Sequence, residues 1–180
     1  MGSPFAADVD GPPARRITAG RVFAAVTLLA LAAFWIYAFT IAPDDKVDGL
    51  DDRSFVEDAN EICEARFAQL DALPRAQTAS TPEERAAVLD QANAIIATLI
   101  DELRAAGADA VGRDRELLDL WFGDWDAYLA ARERYAQQLR TDPENAVFTV
   151  PDRSGGQITL TMDGFARSNR ITECYVPLDV

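Results

Sequence analysis

Three groups of side chains in this sequence have the chemistry to make a site. Cys63 and Cys174 are its two cysteines; Trp121, Trp125, Tyr128, Arg132 and Tyr135 set four rings and a cation close together; and 30 acidic side chains outnumber 17 basic ones. Histidine is absent, which removes the commonest general base and metal ligand and excludes Ser-His-Asp, Cys-His and His-zinc chemistry. The ring positions advance by four, three, four and three, so all five residues share one face of a helix. Such a face is either core or a groove in which rings stack on a sugar or lipid headgroup while Arg132 pairs with an anion. As core it needs a partner for Arg132, expected to be a carboxylate at Glu57, Asp58, Glu61 or Glu64.

Paired carboxylates for glycoside hydrolysis would lean on Asp124 or Asp126 beside Trp125, but so acidic a chain makes some pair inevitable. The stretch Asp8-Val9-Asp10-Gly11 is too short for a calcium loop of the EF-hand type. No nucleophile and base can be matched, so neither enzyme activity, metal nor cofactor is expected. A net charge of −13 argues against a nucleic-acid partner, which requires clustered Lys and Arg.

Residues 22–42 read VFAAVTLLALAAFWIYAFTIA, with Thr27 and Thr40 as the polar positions. As a helix this run would rise about 31 Å, the thickness of a bilayer core, so a transmembrane helix is expected over 21–43. Arg15, Arg16 and Arg21 precede it, and Asp44, Asp45, Asp48, Asp51 and Asp52 follow against Lys46. The positive-inside rule then places a disordered tail, 1–20, in the cytoplasm, and an acidic linker, 44–52, with a domain, 53–180, outside. The run is longer than a signal-peptide core and its best cleavage site leaves Pro43 next, which favours a retained signal-anchor at the cell membrane over a cleaved leader. No cysteine follows the run to carry a lipid, and Ala6 stands where a myristoylation signal has Ser or Thr.

Beyond residue 43 lie 28 of the acidic and 14 of the basic side chains, enough negative charge to disfavour anionic lipids and polyanions. Apolar positions recur at threes and fours over about 53–73, ending at Pro74, and over about 113–139. Between them Thr81-Pro82-Glu83-Glu84 is a capping box with proline at the first helical position, and Gly107 is a stop. Residues 146–150 (AVFTV) and 157–161 (QITLT) are β-branched or alternating around the turn formers 151–156, which predicts a β-hairpin over about 146–161. A short helix is expected over about 162–171. The fold class is therefore mainly α: one N-terminal transmembrane helix, then an extracytoplasmic antiparallel three- to four-helix bundle with a β-hairpin insertion. Outside the membrane the two cysteines should form a structural disulfide, since they are far apart and lack the Cys-x-x-Cys spacing of a redox pair.

The helix Phe55...Ala59-Asn60-x-Ile62-Cys63...Leu70...Leu73-Pro74, the helix from Trp121 to Tyr135, and the ending Phe165-Ala166-Arg167-x-Asn169...Cys174...Pro177-x-Asp179-Val180 resemble uncharacterised single-pass membrane proteins of actinobacteria. The resemblance covers most of residues 50–180. It implies topology and compartment and carries no catalytic residue.

The expected function is a membrane-anchored extracytoplasmic interaction or scaffolding module, held in the bilayer by one helix and facing an envelope protein partner. Its contact surface would be the hairpin, through Phe148, Val150, Ile158 and Leu160, or an exposed face of the bundle. The alternative is a ligand-binding or sensory domain built on the aromatic face. A groove needs those rings partly exposed; an interaction module needs them buried. The oligomeric state is not legible in the sequence.

Overall fold

The computed structural model describes residues 19–37, 49–153 and 155–177; the expectations for residues 1–18 lie outside them. The chain is mainly helical and divides into two compact units, Met1–Asp44 and Asp45–Val180. In the first, helix α1 spans Ala19–Ile36, and its large apolar side chains are exposed all round. Among the described residues no helix is long and apolar enough to cross a membrane. The described apolar part of α1, residues 22–36, rises about 22 Å against a bilayer core of about 30 Å, and residues 38–42 of the apolar run lie outside the described residues.

The second unit is built on α2 (Arg53–Asp71), α3 (Pro82–Ala106) and α4 (Gly112–Thr141). Cross-contacts fix their directions. Arg66 on α2 meets Glu102 on α3 while Phe55, near the start of α2, lies against Gly107 just past the end of α3; Arg104, Asn93 and Asp90 on α3 meet Asp126, Arg132 and Arg140 on α4 in reverse order. Each helix is thus antiparallel to the next, as short connections require.

The helix ends follow local chemistry. Asp52 caps α2 by accepting from the Ser54 amide at 2.9 Å. Thr81 and Glu84 form the expected reciprocal capping box, and the Gly107 amide closes α3 on the Leu103 carbonyl at 3.0 Å. A side chain at Gly107 would press on Leu118 at 3.1 Å, so the glycine also lets α4 approach. Leu50 is buried and donates its amide to Asn169 Oδ1 at 2.7 Å, and Asp114 accepts the amides of Asp51 and Asp52, so the fold already includes residues the sequence reads as linker.

The hairpin is where the structure corrects the sequence. Its ladder is two residues a side, β1 (Asp152–Arg153) with β2 (Gly156–Gln157), turning at Gly155 with φ of 86°. Residues 158–161 are the first turn of α5 (Ile158–Asn169), and residues 146–150 pair with no strand among the described residues. The reason is a longer period than a ten-residue window reveals: Ile158, Met162, Phe165, Ala166 and Asn169 make one buried helical stripe, and its burial outweighs the β propensity of Ile and Thr. Helix α5 ends at Arg170 in the left-handed region, φ 62°, before a 3-10 turn, Thr172–Cys174, that returns the chain to α2.

Candidate functional site

The aromatic face of α4 lies inside the bundle. Trp121, Trp125, Tyr128, Arg132 and Tyr135 are all between 0 and 6 % exposed. Trp121 meets Phe165 of α5 with centroids 5.1 Å apart and Phe55 of α2 edge-on at 6.4 Å; Trp125 meets Tyr128 edge-on at 6.1 Å. These are core geometries in which no ring face is left for a ligand. The indole Nε1 atoms of Trp121 and Trp125 have no hydrogen-bond partner among the described residues, which sets a cost of about 1–3 kcal/mol each against the packing they make.

Arg132 is fully buried, and its described partners differ from the expected carboxylates. Its Nε donates to Asn93 Oδ1 at 2.8 Å and its guanidinium to the Tyr128 hydroxyl at 3.2 Å, lying 5.5 Å from that ring's centroid. Tyr128 passes the contact on by donating to the Pro177 carbonyl at 3.0 Å. Glu57, Asp58, Glu61 and Glu64 all face solvent on α2. Asn93 escaped the sequence reading, although its place on the apolar stripe with Ile96 and Ile100 is the signal that marks a buried polar partner.

The two carboxylates beside Trp125 are held by different arginines. Asp124 is buried and bound by Arg153 at 2.6 Å, whereas Asp126 is exposed and bound by Arg104 at 2.5 Å. Among the described residues no group of three or more His, Cys, Asp or Glu is placed to hold a metal ion. Elsewhere, Arg66 hydrogen-bonds Glu102 through its Nε at 2.7 Å and holds that carboxyl below its usual range, the guanidinium itself being raised. Arg140 is likewise raised, first by its hydrogen bond to Asp90.

Cys63 and Cys174 are joined, with Cα atoms 5.2 Å apart and both residues fully buried. Asn60 supports the clasp from α2: its Oδ1 accepts from the Glu173 amide at 3.1 Å, and its Nδ2 donates to the carbonyls of Arg170 at 3.1 Å and Val56 at 2.9 Å.

The four residues expected to form a hairpin surface are not one surface. Ile158 is core, Phe148 and Val150 are half-buried, and Leu160 stands exposed on α5. Phe148 packs on Tyr128 and Tyr135 with centroids 6.2 and 5.7 Å away. Among the described residues are concavities that the sequence did not announce. A groove of about 920 Å³ runs between the end of α2 and α3, lined by Phe67, Leu70, Leu73, Val88 and Leu89 with Arg75 at its rim. A smaller one, about 190 Å³, lies between α4 and residues 147–151, lined by Ala131, Arg134, Tyr135, Gln138, Val147 and Thr149. No family model, curated protein or solved structure matches the chain, so its site is read from its own geometry.

Proposed function

We propose that the protein is a single-pass, membrane-anchored extracytoplasmic module that presents its helical domain to an envelope protein partner. The observation that carries this reading is α1: ten large apolar side chains from Val22 to Tyr37 are each at least half exposed around the helix, far more apolar surface than water tolerates uncovered. A bilayer covers such a helix on all sides, and the apolar run continues to residue 42. The arginines before the run and the aspartates after it orient the domain outward, where a disulfide persists. Burial of the aromatic face favours the interaction module over a ring-lined ligand groove. The domain acts by contact, with the disulfide-closed bundle as a rigid base.

Reporter fusions test the topology. Alkaline phosphatase joined after Val180 should be active in cells and a fusion truncated before Arg21 inactive; the reverse pattern would refute the anchored reading. Crosslinking of the intact protein in membranes should then capture a protein partner dependent on residues 45–180.

A further inference from the structure

Residues 146–150 are strand formers without a strand. Their burial alternates, with Ala146, Phe148 and Val150 turned toward the bundle and Val147 and Thr149 exposed, the signature of an extended chain lying on α4. No hydrogen bond from their backbone amides or carbonyls is described to any other residue, although the very next carbonyl, at Pro151, accepts from the Ile158 amide at 2.9 Å. The chain that would have continued the ladder is withdrawn into α5 from Ile158 onward. What remains is an edge with free donors and acceptors, anchored from behind by Phe148 between two tyrosine rings, beside a groove of about 190 Å³ able to take one side chain.

We infer that residues 146–150 are an acceptor edge for β-augmentation, taking an extended, positively charged segment of a partner protein. Backbone hydrogen bonds would supply the affinity, and an apolar residue seated against Val147 and Thr149 part of the specificity. Charge selects the occupant. Glu144 and Asp152, both exposed and with no ion pair among the described residues, stand at the two ends of the edge, and the domain is strongly acidic throughout. A basic strand is attracted there, whereas a second copy of this chain would bring the same carboxylates and the same negative field. Arg134, exposed along the groove, offers its guanidinium to a carbonyl of the incoming chain. This inference rests on the interaction-module reading and names its surface.

The test uses the full chain in detergent micelles with a short synthetic peptide alternating Arg and Val, and its Glu-Val counterpart as control. Amide hydrogen exchange at alternate positions within residues 147–150 should slow about tenfold or more with the Arg-Val peptide, lose that protection as salt is raised, and stay unchanged with the Glu-Val peptide. Thr149→Pro removes a backbone donor and should abolish protection. Because proline also restricts the chain before it, a double variant, Glu144→Lys with Asp152→Lys, leaves the backbone untouched and should markedly weaken protection by the Arg-Val peptide. Equal protection by both peptides, no protection by Arg-Val, or a double variant that Arg-Val protects as strongly as the parent would overturn the inference. Concentration-dependent protection without any peptide would also overturn it, because a second copy would then occupy the edge. The assay is independent of topology, so a misplaced reporter fusion with a responsive edge refutes the anchor alone, and a correct topology with an inert edge refutes this surface alone.

Discussion

Reducing the Cys63–Cys174 bond is expected to destabilise the domain globally without releasing its C-terminal end. The bond closes a loop spanning a sequence separation of 111 residues, which contains α3, α4 and α5. In the chain-entropy model a loop of that length restricts the unfolded chain by about 4.8 kcal/mol, a large share of the roughly 5–15 kcal/mol that holds a typical domain together. With a urea dependence of about 2 kcal/mol per M, the unfolding midpoint of residues 45–180 should fall by about 2.4 M on reduction. The native end has other tethers: Asn60 holds Arg170 and Glu173, Asp163 Oδ1 accepts the Val176 amide at 2.9 Å, Tyr128 holds the Pro177 carbonyl, and Ile171 is fully buried. The loss should therefore appear in the unfolded state, with native-state exchange at residues 171–177 following the global transition. Urea melts of oxidised and reduced protein of identical sequence, paired with hydrogen exchange, measure both. A midpoint shift equivalent to less than about 1 kcal/mol, or selective opening of residues 171–177 with the bundle unchanged, would refute this account.

Trp121 and Trp125 are the tryptophans of the domain, and their burial predicts weak acrylamide quenching in the folded state; efficient quenching would return the aromatic face to the surface. Trp125→Ala should cost about 3–5 kcal/mol in a urea melt and Trp125→Phe distinctly less, because the indole N–H it removes has no described partner. Asn93→Ala takes away the acceptor of Arg132 Nε inside the core and should cost about 1.5–3 kcal/mol, whereas the same change at exposed Asn145 should register as near neutral. The Glu102 carboxyl is lowered by Arg66, so its contribution is present above the ordinary carboxylate pKa and disappears as pH falls through the lower folded value. Melts from pH 6 to pH 3, a range of roughly the carboxylate titration, should accordingly show a shallower acid loss for Glu102→Gln.

Short-range chemistry in this chain was legible without coordinates. The Thr81 to Glu84 capping box, the stop at Gly107, the stripes of α2, α3 and α4, and the pairing of Cys63 with Cys174 each follow from residue types a few positions apart or from simple counting. The tertiary structure decided what depends on competition between distant partners. Residues 157–161 have the composition of a strand, yet burying Ile158 with Met162 and Phe165 against the bundle stabilises a helix there, and that choice leaves residues 146–150 unpaired. Arg132 sits on a face whose spacing is legible, but whether rings at that spacing are core or groove depends on which helices cover them, and Asn93 rather than a carboxylate of α2 meets its Nε because α3 lies closer to that turn of α4. Periodicity tells which side of a helix is apolar; the identity of what covers it is a property of the packed chain, where each neighbour's burial sets the free energy of the next.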